Sequence, residues 1–232
     1  MTNAQFGFEL DFSGTPRVFG ASVSFNVDSS IKTIAGKAAS GLWCNAGNLY
    51  LHYTDTGVPT GTPQWVECAV SYFSSGGPGV GWWLSTAYSN TGGTPVQHHY
   101  SISVDPTTHT VTLKLYYDSV QGSWYCSYSD PNGSTITGQA IVANVPNANG
   151  ADREYIFFEN GGDTNCCDYS TLGGITFSSL TYFNSTGSVI SPSPTTAAFL
   201  PSATGQPPHN CANTSSTCIN ENTTTLKLTY NG

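Results

Sequence analysis

Apolar and polar residues alternate through residues 64–88, QWVECAVSYFSSGGPGVGWWLSTAY. In its first half, Val66 and Cys68 belong to an every-second-position apolar series, which is the period of a half-buried strand. The glycine-rich turn at 75–79 then joins this strand to a second one. The stretch therefore predicts a β-hairpin with one apolar face, and Glu67 lies on the other face. Strand surfaces often carry acids, so Glu67 is either an exposed solubilising charge or a group held in a cleft for chemistry.

The same period recurs along the chain and predicts strands with turn signals between them. Residues 31–40 are predicted to be a short helical turn or a loop. Residues 97–104 and 110–117 are predicted to pair as a hairpin across the Asp105–Pro106 turn. The predicted strands cover residues 6–12, 18–27, 42–53 (with a break at Ala46–Gly47), the 64–88 hairpin, 97–104, 110–117, 124–129, 153–159, 175–183 and 224–230.

This pattern predicts an all-β fold, an antiparallel two-sheet β-sandwich over residues 1–184. The composition changes after Asn184, where residues 185–210 are rich in Pro, Ser and Thr and are expected to form a strap or a linker. Residues 211–232 are expected to form a disulfide loop and a strand that packs on the sandwich.

Charge and hydropathy exclude several functions. The 232 residues carry a formal net charge of -8, with only 6 Lys and Arg and 9% charged residues in total. Nucleic acids and anionic membrane surfaces attract basic patches, so neither is an expected partner. The low positive charge is compatible with work in acid. No phosphate loop, nucleophile elbow or metal-ligand spacing is present, so no cofactor or metal is expected.

Seven cysteines and four Asn-x-Ser/Thr sequons (Asn132, Asn184, Asn213, Asn222) favour a secreted protein. Cys211 and Cys218 are expected to close a small loop, and Cys44 and Cys68 to link neighbouring strands. The odd count leaves at least one thiol outside these pairs. No signal peptide follows Met1, which indicates either a mature form with an added Met or a natural cytosolic start.

The strand-like carboxylates are the candidates for chemistry. Two carboxylates on one concave face share a proton in acid and can activate water, one as general base and the other as donor. Carboxylates beside tryptophans are equally typical of sugar-binding sites. The acids in strand-like positions are Glu9, Asp11, Glu67, Glu154 and Glu159.

Several stretches resemble the glutamic peptidases of the eqolisin type, fungal acid proteases with a concanavalin A-like sandwich. Residues 19–27 (FGASVSFNV) are similar to an early strand of that family, and residues 172–177 (LGGITF) to its closing strand. Residues 67–72 (ECAVSY) resemble the segment that carries the family's catalytic glutamine, and residues 81–88 (GWWLSTAY) the aromatic strand after it. Residues 152–159 (DREYIFFE) resemble the strand that carries its catalytic glutamate.

The resemblance implies a jelly-roll sandwich and acid endopeptidase activity. Glu67 stands where the family has glutamine, and Phe158 is the strict match for the glutamate, one residue before Glu159. The implied site pairs Glu67 with Glu159, or with Glu154 if the register slips. The substrate-binding aromatic residues of this site would be Trp65, Trp82, Trp83 and Tyr155.

Three functions remain open from the sequence. The first is a secreted acid endopeptidase that acts on polypeptides. The second is a non-catalytic, lectin-like module that binds glycans by stacking aromatic rings on sugars. The third is a structural secreted protein, since aromatic residues also fill the cores of sandwiches. The sequence predicts no oligomeric state.

Overall fold

Two antiparallel sheets lie face to face around one hydrophobic core in the computed structural model of this chain. The structure describes residues 4–12, 14–37, 43–52, 64–89, 94–143, 150–161, 175–199, 215–222 and 225–231. It describes their side chains except at 4–6, 37, 155, 157–161, 175, 196–199, 215–222 and 225–231. The predicted all-β, concanavalin A-like sandwich is confirmed. In the described part of the chain, no helix is long and apolar enough to cross a bilayer.

The first sheet has seven strands. Their spatial order is β13 (Thr195–Phe199), β1 (Ala4–Asp11), β10 (Arg153–Gly161), β3 (Trp43–His52), β4 (Trp65–Phe73), β5 (Gly81–Ser89) and β6 (Val96–Ser101).

The second sheet has eight strands, and α1 (Ser30–Lys37) follows its strand β2 along the chain. The spatial order is β14 (Ser215–Asn222), β15 (Thr225–Asn231), β11 (Ile175–Phe183), β2 (Gly20–Asn26), β7 (Thr110–Asp118), β8 (Ser123–Ser129) and β9 (Thr135–Val142), while β12 (Val189–Ile190) pairs with β11.

The core forms between the inner faces of the two sheets. In β2, Val23 and Phe25 point inward and are at most 1% exposed, as their alternation predicts. Gly47 of β3 faces Phe25, and a Cβ at this glycine would lie 2.5 Å from the phenyl ring. The sheets can therefore approach closely at this point only because residue 47 has no side chain.

One disulfide joins the two sheets. Cys68 of β4 is bonded to Cys126 of β8, with a Cα–Cα distance of 5.8 Å. The predicted Cys44–Cys68 pair is therefore wrong, because Cys68 points into the core toward the facing sheet. Cys44 is buried, and its thiol donates to the Asn45 carbonyl oxygen at 3.7 Å. Cys211 and the side chain of Cys218 lie outside what the structure describes, so the Cys211–Cys218 pair stays a prediction.

The predicted hairpin of residues 97–104 and 110–117 is wrong. Strand β6 pairs with β5 in the seven-stranded sheet, whereas β7 pairs with β2 and β8 in the other sheet. A turn signal in the sequence indicates only that the chain changes direction. The chain changes direction both in a hairpin and where it crosses from one sheet to the other, so the signal does not distinguish the two. The prediction of a short helical turn or a loop at residues 31–40 is closer to the structure, since most of that stretch belongs to α1.

The chain after residue 184 returns to the sandwich at three described places, and the first is β12, which pairs with β11. Strand β13 pairs with β1 at the edge of the seven-stranded sheet, and β15 pairs with β11 in the other sheet. Strands β9, β12, β13 and β14 were not predicted from the sequence. Three of them lie at or near sheet edges, where one-sided burial weakens the alternation on which the prediction depends.

Candidate functional site

The outer face of the seven-stranded sheet carries the candidate site. Val66 and Cys68 of β4 are fully buried in the core, so Glu67 between them points to the opposite, outer face. Glu67 lies directly across from Tyr50 of β3 and from Ala87 of β5. The carboxylate is half-buried near the middle of this face.

A carboxamide holds the Glu67 carboxylate. The Nδ2 group of Asn48, on the neighbouring strand β3, donates a hydrogen bond to Glu67 Oε1. The Asn48 side chain is completely buried, and its Oδ1 has no hydrogen-bond partner among the described residues. A hydrogen bond to a charged acceptor in a buried setting fixes its orientation. Glu67 is therefore positioned by Asn48.

Aromatic rings form a stack beside Glu67. The rings of Tyr50 and Trp65 lie 5.1 Å apart with an interplanar angle of 24°, and Tyr50 also stacks on His52 at 6.0 Å and 12°. Burial lowers the pKa of His52, and the charge of Asp152 partly offsets this by raising it. The stack gives this end of the outer face a rigid apolar wall.

Hydroxyl, amide and imidazole groups form two further side-chain pairs on the outer face. Ser71 Oγ donates to Asn45 Oδ1 at 2.7 Å, which ties β4 to β3. On the other side of β4, Ser85 Oγ lies 3.0 Å from His99 Nδ1, which ties β5 to β6. Burial, and then the charge of His98, lower the pKa of His99. Together with Glu67 and Asn48, these pairs form a polar band across four strands.

Glu154 lies on the opposite side of the sheet from Glu67. Its strand neighbours Leu10 and Leu51 are core residues, and its own side chain is completely buried. Burial raises the pKa of Glu154 to about 8, and the Tyr182 hydroxyl of the facing sheet partly offsets this. Neither Glu154 oxygen has a hydrogen-bond partner within normal distance among the described residues. Glu154 and Glu67 therefore do not share one groove.

Glu159 lies in β10, and its side chain is outside the described residues. Glu67 of β4 lies opposite Tyr50 of β3, and Tyr50 in turn lies opposite Tyr155 of β10. Glu159 is four residues further along and pairs with Gln5 of β1. At about 3.3 Å per residue, this displacement is about 13 Å along the strands. Positions 67 and 159 are therefore too far apart along the strands for their two carboxylates to be in direct contact.

The four predicted aromatic contacts fall in different places. Trp65 and Trp83 lie on the outer face, and Trp83 Nε1 donates to the Gly79 carbonyl oxygen at 3.0 Å. Trp82 belongs to the core, where it packs on Tyr72 with ring centroids 5.1 Å apart, so it does not line the outer face. The side chain of Tyr155 is outside the described residues.

Sequence reasoning missed Asn48, Tyr50, Ser85 and His99. Alternation within β5 was a signal for Ser85, but nothing local indicates that Asn48 lies beside Glu67. Strand β3 contains a bulge between Asn45 and Gly47 that shifts its register with β4. Such a shift moves side chains to other partners without leaving a clear mark in the sequence. Among the described residues, no cluster of three or more His, Cys, Asp or Glu could hold a metal ion.

Solved structures with the same fold bind peptide-like ligands. Two are of scytalido-glutamic peptidase with transition-state analogues; they are 10% and 12% identical, with TM-scores of 0.53 and 0.51. They cover 99% and 100% of this chain and 98% and 100% of their own. SCP-B, an eqolisin-family peptidase in complex with the tripeptide Ala-Ile-His, is 11% identical over 99% of this chain and 98% of its own, with a TM-score of 0.50.

This chain shares the fold of the glutamic peptidases. No protein-family model and no curated protein matches its sequence. At 10–12% identity, the structural likeness establishes the fold alone. The function has to be argued from the outer-face site itself.

Proposed function

We propose that this protein is a secreted acid endopeptidase in which Glu67 acts as the general base. One observation carries the proposal: the Glu67 carboxylate is oriented by the Asn48 carboxamide on the outer face of the seven-stranded sheet. The whole-length likeness to peptidases that bind peptide-like ligands supports a polypeptide substrate. Because Glu154 is buried on the other face, the proposed site pairs Glu67 with the Asn48 carboxamide rather than with Glu154.

The proposed chemistry depends on which side chains can act as a base in acid. A base that works at pH 3–4 has to ionise in acid, and carboxylates have the lowest ordinary pKa values among side chains. Glu67 accepts a proton from a water molecule, whose oxygen attacks the carbonyl carbon of the scissile peptide bond. The protonated Glu67 then gives that proton to the leaving nitrogen as the C–N bond breaks. Asn48 acts as a positioning residue, because its hydrogen bond to Oε1 fixes the orientation of the Glu67 carboxylate.

The outer face suits an extended polypeptide. The Tyr50–Trp65 stack bounds one side of Glu67, and Trp83 lies toward the other end of β5. Within the polar band Asn45, Asn48 and Ser71 are buried, so Glu67, Ser85 and His99 are the partly exposed members that can contact the peptide backbone. With 6 Lys and Arg and 5 His, the chain also accumulates little positive charge in acid.

Secretion is part of the proposal. The Cys68–Cys126 disulfide lies in the core between the sheets and needs an oxidising compartment to form. The sequons at Asn132 and Asn184 lie in turns at the surface, where glycosylation would be accessible.

The test is cleavage of a reduced, carboxymethylated protein at pH 3.5 by the wild type and by Glu67→Gln. We expect Glu67→Gln to lower kcat/KM by about 10²–10⁴-fold, the usual contribution of a general base. Glu9→Gln is the matched control, because Glu9 is half-exposed in β1 of the same sheet and is paired with Arg153 at 2.8 Å. Asn48→Ala should lower kcat more than it raises KM, because it disorients the base.

Two outcomes would overturn the assignment. Equal activity in Glu67→Gln and Glu9→Gln would remove Glu67 from catalysis. Loss of activity in Glu159→Gln with activity retained in Glu67→Gln would place the base at position 159 instead.

Glycan binding is the second candidate, and the Trp65–Tyr50–His52 stack favours it. Stacked rings beside a carboxylate form a typical platform for a sugar ring. A folded wild type that cleaves nothing, binds a glycan array and loses this binding in Trp65→Ala would establish this function in place of the first.

A further inference from the structure

Strand β6 forms an open edge of the seven-stranded sheet. It pairs with β5 in one unbroken register, from Val96 opposite Tyr88 to Ser101 opposite Trp83. Among the described residues, no strand pairs with its other side. Its first three residues are exposed, so neither protein backbone nor side chains cover this edge extensively.

The direction of the backbone groups in β6 follows from one hydrogen bond. The amide of Ile102 donates to the Trp82 carbonyl oxygen at 3.0 Å, so residue 102 directs its backbone groups toward β5. Backbone groups alternate in direction along an antiparallel strand. Residues 96, 98 and 100 therefore bond to β5, whereas Gln97, His99 and Ser101 present their N–H and C=O groups to the open side.

This edge lacks the usual protection against pairing. Edge strands are commonly blocked by lysine, proline, inward-pointing charges or bulges. The six residues VQHHYS contain no Lys, Pro, Asp or Glu, and the ladder with β5 contains no bulge. The three N–H and three C=O groups of residues 97, 99 and 101 thus point outward, where they can form hydrogen bonds with an added strand.

We propose that β6 binds an extended segment of the polypeptide substrate as an added antiparallel or parallel strand. This rests on the proposed endopeptidase function and names how the substrate is held. The edge is continuous with the candidate site, since the His99 side chain reaches Ser85 at 3.0 Å on the outer face. Ser85 lies opposite Ala69, two residues from Glu67. A substrate strand added to β6 is thereby anchored three strands away from β4, which carries the general base.

Continuity with the candidate site favours a polypeptide substrate over a second copy of this chain. Strand β6 belongs to the same sheet as Glu67, and His99 of β6 lies 3.0 Å from Ser85 on the outer face. The strand of a second folded copy paired through this edge is held in its own sheet and is not free to extend toward Glu67. An unfolded substrate can pair with β6 and extend beyond the edge, so strand addition of a substrate is the favoured occupancy.

A proline at position 97 tests the role of the backbone. Gln97→Pro removes an outward N–H, and proline is tolerated on an edge strand where its nitrogen faces away from the ladder. Gln97→Ala is the matched comparison, because it removes the same side chain and keeps the N–H. Thermal unfolding of both variants verifies that the fold is retained.

Binding is measured at pH 4 in a Glu67→Gln background, so that the probe is not cleaved. The probe is a fluorescein-labelled peptide of about twelve residues in which valine alternates with threonine, and fluorescence anisotropy gives its Kd. We expect Gln97→Pro to raise Kd about five- to tenfold, the effect of losing one backbone hydrogen bond and of the added crowding. Gln97→Ala is expected to stay within about twofold of the parent.

Equal Kd values for the proline and alanine variants would overturn the proposal. It would also be overturned if sedimentation at pH 4 showed a dimer that only Gln97→Pro dissociates, because the occupant would then be a second copy. Cleavage by the wild type together with equal Kd values leaves the endopeptidase function standing and removes the edge site. If the wild type cleaves nothing but Gln97→Pro alone weakens binding, the edge site stands and the endopeptidase function is removed.

Discussion

Glu154 should make the stability of this protein depend strongly on pH. Its carboxyl group is completely buried between the sheets, and its pKa is raised to about 8 from an ordinary value of 4.5. The unfolded chain ionises this group near 4.5, whereas the folded chain keeps it protonated up to about pH 8. The folded state is therefore not penalised below pH 4.5, and the penalty grows as the pH rises from 4.5 to 8.

The magnitude follows from the same two values. Each pKa unit corresponds to about 1.4 kcal/mol, so the full penalty above pH 8 is on the order of 5 kcal/mol. At pH 7 it is about 3 kcal/mol by the same reasoning. Glu154→Gln keeps the shape of the neutral acid and cannot ionise. We expect it to match the wild type in stability at pH 4 and to exceed it by about these amounts at pH 7 and 8.

Urea unfolding at pH 4, 5, 6, 7 and 8 measures the difference, with the disulfide intact in both proteins. Glu9→Gln is the control, because Glu9 is half-exposed and paired with Arg153, so its removal should change stability little across this range. A Glu154→Gln difference that stays constant from pH 4 to 8 would refute the buried, unpaired environment of this carboxyl group. The expected result also means that Glu154 imposes no stability penalty in acid, where the proposed activity takes place.

Two further substitutions test how the sheets are held together. Replacing both Cys68 and Cys126 with alanine should lower the free energy of unfolding by about 4 kcal/mol, because the disulfide spans a sequence separation of 58; an unchanged denaturation midpoint would contradict this. Gly47→Ala should cost about 1–3 kcal/mol, since its Cβ would lie 2.5 Å from the Phe25 ring. Gly36→Ala in α1, where a Cβ meets nothing within 4 Å, is the control and should change stability by less than about 1 kcal/mol; equal costs at positions 47 and 36 would contradict the close approach of the sheets.

Much of the fold could be predicted from the sequence, because alternation is a local property. Val23 and Phe25 point inward, and Glu67 points outward, as the period of two requires. The hairpin of residues 64–88 is present as β4 and β5, which pair from Trp65 to Phe73 without a bulge. Each of these results depends only on residues close together along the chain.

The candidate site could be predicted only in part, because its members come from different strands. Glu67 was found, but its partner Asn48 depends on how β3 and β4 are aligned and on the bulge after Asn45. Glu154 follows the same alternation as its neighbour Ile156, yet a lone acid among apolar residues does not tell which face of the strand is the core.

The sequence by itself determined the class of fold, the faces of the central strands and the acidic, low-charge character of the surface. Only the tertiary structure decided that Cys68 bonds to Cys126 and that β6 and β7 belong to different sheets. It alone also decided that the Asn48 carboxamide donates a hydrogen bond to Glu67. The reason is physical: local alternation specifies the direction of each side chain, whereas strand order and register are set by packing between segments that lie far apart in the chain.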